Sequence, residues 1–136
     1  MYRTGIIGCG KVAHLHAKAL KHLPKSDFAA VFRRTLDKAK SFASEYGVNA
    51  YDNITEMVEK EKLDLVMVCT PHPNHLGPTL EAMAAGANVI VEKPLASTLE
   101  DCDVMIAAGK KYNKKLGTIS QRRFYEPVIR LKKAID

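Results

Sequence analysis

Near the amino terminus a short apolar run, Thr4-Gly-Ile-Ile-Gly8, leads into Gly8-Cys9-Gly10-Lys11-Val12-Ala13, and apolar residues at helical spacing follow. A G-x-G-x-x-A segment between a strand and a helix leaves the backbone few choices. The first glycine permits a tight strand-to-helix turn, and the second lets a ligand approach the main chain. The alanine lets the helix lie close on the strand. The start of the helix adds unpaired N–H groups and positive potential, which suit a pyrophosphate. Gly8, Gly10, Lys11, Val12 and Ala13 are therefore candidate dinucleotide-binding residues. Glycine pairs also occur in plain structural turns, so the context has to decide.

The rest of the chain supplies that context. Val12, Leu15, Ala19 and Leu23 recur at helical spacing until Pro24, which predicts a helix with these residues inward. Residues 28–32 read as a second strand. A helix over Leu36–Tyr46 follows, with Ala39, Phe42, Ala43 and Tyr46 inward and Gly47 as its stop. Residues 49–51 form a short third strand, and Asn53 with Glu56 has the pattern of a capping box. Residues 63–69 have the continuous apolar character of a strand covered on both faces. A helix over 76–85 and a strand at 88–91 come next, then a helix capped by Ser97 with Glu100 and reaching Tyr112. A strand at 116–119 precedes a last helix from about Pro127, with Val128, Leu131 and Ile135 on one face. Alternating strands and helices imply right-handed crossovers. The expected fold is α/β, a doubly wound parallel sheet of Rossmann type, in one domain over residues 1–136.

Composition narrows the classes further. A chain of 136 residues with 46% hydrophobic residues can bury a core and is not disordered. No apolar run approaches the ~20 residues of a membrane span, so no membrane partner is expected. The start carries no basic segment leading into a long apolar stretch. Cys9, Cys69 and Cys102 have no C-x-x-C spacing, and reduced thiols in a cytoplasmic protein are expected. The net charge of +6 is local: residues 1–109 carry 12 Lys/Arg against 13 Asp/Glu, and residues 110–136 carry 9 against 2. With no tryptophan, no interleaved stacking aromatics and no zinc or helix-turn-helix spacing, nucleic acid is not the expected partner.

Cofactor choice is read at the carboxyl end of the second strand. Asp27 lies ~20 residues beyond the motif but at the wrong end of that strand to hold a ribose. The correct end reads Phe32-Arg33-Arg34-Thr35, with no carboxylate for a free 2′-hydroxyl and two guanidiniums for a 2′-phosphate. NADP is the favoured cofactor, with NAD as the alternative. After the fourth strand comes Thr70-Pro71-His72-Pro73-Asn74-His75. No carboxylate or cysteine joins its histidines, so no metal is expected. After the fifth strand, Glu92-Lys93-Pro94 reaches the same edge, where a partly buried lysine can hydrogen-bond a substrate hydroxyl, although a lysine taken alone reads better as a surface charge.

Together these segments resemble the glucose–fructose oxidoreductase, inositol dehydrogenase and MocA (Gfo/Idh/MocA) oxidoreductases over essentially the whole chain. The matching residues are the 8–13 fingerprint with His16 in its helix, Thr70-Pro71 with His75, and Glu81-Ala-Met-Ala-Ala-Gly86. Val91-Glu-Lys-Pro-Leu95 and Gln121-Arg-Arg-Phe124 complete the set. The resemblance implies hydride transfer between a nicotinamide and a sugar, polyol or related hydroxyl compound, with Lys93 as the catalytic residue. It implies that Thr70, Pro71, His75, Glu92, Lys93 and Pro94 line the cofactor and that Gln121 and Arg123 lie toward the nicotinamide. It also implies a second α/β domain that carries the substrate pocket. The expectation is therefore an N-terminal domain fragment with little turnover of its own, whose exposed apolar surface invites homodimerisation. A non-catalytic dinucleotide-binding or sensor module of the same fold is the alternative.

Overall fold

The computed structural model describes residues 1–136. Its strands are β1 (Tyr2–Ile7), β2 (Ser26–Phe32), β3 (Asn49–Tyr51), β4 (Leu65–Val68), β5 (Asn88–Val91) and β6 (Leu116–Thr118). The helices are α1 (Lys11–His22), α2 (Leu36–Tyr46), α3 (Ile54–Glu61), α4 (Leu76–Ala84), α5 (Leu99–Lys111) and α6 (Glu126–Ile135). Two 3₁₀ turns, His72–Asn74 and Gln121–Phe124, follow β4 and β6. All pairings are parallel, in the order β3-β2-β1-β4-β5-β6. The order reverses between β1 and β4, which opens a crevice at the carboxyl edge of the sheet where ligands bind in such folds. The doubly wound expectation is met.

Each face of the sheet carries its own core. Ile7, Val66, Val68, Val89 and Val91 pack with Met57, Met83 and Met105 from α3, α4 and α5. Ile6, Val31 and Met67 pack on the other face with Ala13, Ala17 and Leu20 of α1 and Phe42 and Ala43 of α2. Neighbours such as Ile6 and Ile7 divide between the faces because strand side chains alternate. In β2 a bulge breaks the alternation: Thr4 pairs with Phe28 but Gly5 pairs with Ala30. Ala29 is the extra residue, so Phe28 and Val31 share a face although three positions apart.

The buried face of α1 differs from the expected one. Leu15 and Leu23 are 67% and 54% exposed, while Ala13, Ala17 and Leu20 are buried. Small residues at i and i+4 let the helix settle close on the sheet, and that close approach outweighs the larger leucines. Gly47 ends α2 in the left-handed conformation, at φ +63°, as expected. Only half of the capping box forms. Asn53 accepts from the Glu56 amide at 2.8 Å, whereas the Glu56 carboxylate turns to Lys60. Thr98, not Ser97, caps α5 by accepting from the Asp101 amide at 3.1 Å. No residue of α6 is buried, and Val128, Leu131 and Ile135 are exposed. No helix is long and apolar enough to cross a membrane.

Candidate functional site: a dinucleotide cleft at the carboxyl edge

The turn from β1 to α1 is shaped by Gly8. Its φ is +99°, a conformation that L side chains rarely adopt, and a Cβ there would stand 2.9 Å from the Thr70 amide nitrogen. Its own N–H donates to the Phe32 carbonyl at 2.9 Å, which ties the loop to the end of β2. Gly10, the residue before α1, has ordinary extended backbone, and a Cβ there would meet nothing within 4 Å. Its missing side chain therefore leaves open space rather than relieving strain.

No side chain caps α1, and its first turn has no acidic residue, whereas Asn53 and Thr98 cap α3 and α5. The first helix thus presents its unpaired N–H groups and positive end to an open cradle. Such an end suits a pyrophosphate, and the residues present fit a dinucleotide. Ala13 is fully buried beneath this turn and acts through helix–strand packing.

A cleft of about 770 Å³ lies over this turn. Gly8, Gly10, Lys11 and Val12 line it together with Arg33 and Arg34 from the end of β2 and Thr70 and Pro71 from the end of β4. Eight of the expected cofactor residues therefore meet in one place. Arg33 is half-buried, and its Nη1 donates to the Cys9 carbonyl at 3.3 Å; Arg34 is exposed. Asp27 sits at the opposite end of β2 and pairs with Arg3 at 2.8 Å. Glu81 also lines the cleft, but its Oε1 accepts from the Thr55 amide and hydroxyl at 3.2 and 3.1 Å.

Two thiols face this cleft as inert walls. Burial pushes Cys9 up to about 11, against the opposing pull of the Arg33 charge. Burial pushes Cys69 up to about 12, with the charges of Glu92 and Cys9 adding to the rise. Neither is a thiolate nucleophile near neutral pH.

The other expected residues lie elsewhere on the same edge. β4 and β5 are in register at Val68 and Val91, so the Glu92-Lys93-Pro94 loop emerges one strand beyond Thr70. Lys93 is exposed, so this chain does not supply the partial burial expected for it. His75 is only 1% exposed and does not line the cleft. Its Nε2 lies 2.9 Å from the Thr70 carbonyl, and its Nδ1 lies 2.9 Å from that of Pro94 and 3.3 Å from that of Leu95. The ring thus staples the loop after β4 to the loop after β5. Glu92 is turned inward, with Oε1 2.7 Å from His16 Nε2. Gln121 and Arg123 are exposed on the 3₁₀ turn after the edge strand β6, outside the cleft. The spacing of the sequence carried no sign of the inward turns of His75 and Glu92.

Comparison with known proteins agrees with this geometry. The family of oxidoreductases described as having an NAD-binding Rossmann fold matches residues 2–119. The chain belongs to the Gfo/Idh/MocA family.

Relatives include trans-1,2-dihydrobenzene-1,2-diol dehydrogenase of Danio rerio, 34% identical over 98% of this chain and 41% of that protein. The inositol 2-dehydrogenase/D-chiro-inositol 3-dehydrogenase of Halalkalibacterium halodurans is 33% identical over 98% of this chain and 40% of that protein. Among solved structures, the WlbA dehydrogenase of Chromobacterium violaceum, in complex with NADH and UDP-GlcNAcA, superposes with a TM-score of 0.91. It is 30% identical, over 98% of this chain and 39% of that one. The chain spans about 40% of the length of these Gfo/Idh/MocA relatives.

Proposed function

We propose that this chain is the nucleotide-binding domain of an NADP(H)-preferring oxidoreductase acting on a sugar, polyol or related hydroxyl or carbonyl compound. The observation that carries the cofactor preference is the pair Arg33 and Arg34 at the cleft, with Asp27 held by Arg3 at the far end of β2. Two guanidiniums there suit a 2′-phosphate, and no carboxylate at that end of the strand offers to hold a free ribose hydroxyl. The amides and helix start at Gly8, Gly10, Lys11 and Val12 hold the pyrophosphate, over a packing surface made by Ala13. Thr70 and Pro71 extend the wall toward the nicotinamide, and the loop carrying Glu92, Lys93 and Pro94 lies one strand further on. Gln121 and Arg123 flank that end.

When bound, the nicotinamide takes up or gives the hydride. Lys93 Nζ, entering as the neutral amine, takes the hydroxyl proton during oxidation, and as the ammonium returns it during reduction. The hydroxyl compounds in the names of the relatives, an inositol and a dihydrodiol, support this substrate class. In this reading a second domain of the kind the family carries grips the substrate and completes the burial of Lys93.

Calorimetric titration of the chain with NADP⁺ and NAD⁺ tests the cofactor assignment, with an Arg33→Ala/Arg34→Ala variant alongside. NADP⁺ should bind about tenfold or more tightly than NAD⁺, and the variant should bring the two together. Equal affinities in the parent chain, or tighter NAD⁺, would overturn the NADP preference.

A further inference from the structure

We propose that His16 is a positioning residue for Lys93, acting through the Glu92 carboxylate that it holds. The inference rests on the reading of Lys93 as the proton-handling residue. His16 and Glu92 are 76 positions apart, yet Nε2 and Oε1 meet at 2.7 Å with the two side chains only 16% and 13% exposed. The other carboxylate oxygen, Oε2, accepts from the Lys93 amide at 3.1 Å. Glu92 itself is registered on the sheet, because its N–H donates to the Val68 carbonyl at 3.0 Å. One carboxylate therefore bridges the middle of α1 to the main chain of Lys93.

The far side of the same loop is held separately, by His75 on the carbonyls of Pro94 and Leu95. Lys93 is thus an exposed residue between two anchored points of the loop. An amide donating to a carboxylate that is itself fixed by a buried partner loses most of its local freedom. Glu92 therefore acts on Lys93 rather than on the nucleotide. The helix whose first turn receives the pyrophosphate is the same helix that orients the lysine, so one rigid element sets both ends of the site.

The test uses the whole chain. His16→Ala is compared with His16→Gln, whose Nε2 can donate at a similar reach, and with Glu92→Ala and the double variant. The readouts are the resonance and hydrogen exchange of the Lys93 amide, with NADP⁺ affinity and thermal melting alongside. His16→Ala should raise Lys93 exchange about tenfold and move its resonance, while Gln restores both to within about twofold. Glu92→Ala should reproduce the His16→Ala result, and the double variant should add little to either. In His16→Ala, NADP⁺ affinity should change less than about threefold, because the glycine turn is untouched.

An unchanged Lys93 amide in His16→Ala would overturn the proposal. A Gln variant that melts like the parent but exchanges its Lys93 amide about tenfold faster than the parent would also overturn it, and that comparison holds even if the Ala variant fails to fold. Hydride transfer by the enzyme containing this domain, with and without Lys93→Ala, checks the underlying reading independently. Full activity there would remove Lys93 from the chemistry while leaving the His16 anchor standing.

Discussion

A side chain on Gly8 would collide with Thr70: the Cβ would stand 2.9 Å from the Thr70 amide nitrogen and 3.0 Å from the Cys69 carbonyl group. The glycine turn and the end of β4 are thus packed backbone on backbone. Gly10, two residues on, faces open space. The two glycines of the fingerprint are needed for different reasons, and substitution separates them. Gly8→Ala combines a positive φ with a backbone clash and should cost about 3 kcal/mol, roughly 10 °C in melting temperature. Gly10→Ala should melt within about 2 °C of the parent yet bind NADP⁺ about tenfold or more weakly, because its methyl fills the cradle. Thermal melts and calorimetry on the two variants check both statements.

The two arginines should also separate. Arg33 contacts the Cys9 carbonyl within the glycine turn, whereas Arg34 stands exposed beside it. Arg34→Ala should weaken NADP⁺ about tenfold and leave NAD⁺ unchanged, since a guanidinium on a phosphate contributes about 1.5–3 kcal/mol. Arg33→Ala should weaken both nucleotides, because it also loosens the turn. Titration of each single variant with each nucleotide distinguishes these patterns.

Cys9 should be a poor nucleophile in the folded chain. Raising its pKa from 9.0 to about 11 lowers the thiolate fraction near neutral pH. That fraction falls about 100-fold, and higher intrinsic nucleophilicity restores only part, which leaves alkylation about tenfold slower before any steric shielding. Timed iodoacetamide labelling with peptide mass spectrometry, native against urea-unfolded, measures the ratio. Equal rates in the two states would contradict the burial argument.

At the opposite end of the sheet, Glu61 gathers a polar cluster. Its Oε1 accepts from Tyr51 Oη at 2.6 Å and from Asn49 Nδ2 at 2.7 Å, and its Oε2 meets Arg3 at 2.7 Å. Burial, with the Glu61 bond and charge adding, pushes the Tyr51 phenol from 10.0 up to about 12. The folded state therefore favours the protonated phenol. Its contribution is full below pH 10 and is lost as pH rises from 10 to about 12. Tyr51→Phe should destabilise the chain by about 1–2 kcal/mol at pH 7 and flatten the stability profile across that window. Urea unfolding at a series of pH values gives the comparison.

Much of the molecule is written in local pattern. The strand–helix alternation, the glycine fingerprint, the stop at Gly47 and the arginines after β2 depend on neighbouring residues and on periods of 2 and 3.6. They can therefore be read along the chain, and they place eight residues around one cleft. Two other features depend on what lies across the fold. The bulge at Ala29 changes which face Phe28 presents, a choice made by pairing with β1. The inward face of α1 belongs to Ala13, Ala17 and Leu20 because the helix lies close on the sheet, although the leucines at 15 and 23 looked better suited to burial.

His75 and Glu92 carry the same lesson into the site. As a sequence, both are polar residues in loops at the ligand edge. In the fold, His75 reaches carbonyls up to 20 positions away and Glu92 reaches a histidine 76 positions away, so both brace the site from within. The chain's own pattern determined the fold class, the crevice and the nucleotide chemistry of its edge, because secondary structure and turn chemistry are short-range. Which polar residues face the ligand and which hold the loops was decided by the crossovers. Only the assembled sheet brings α1, the β4 loop and the β5 loop within hydrogen-bonding distance of one another.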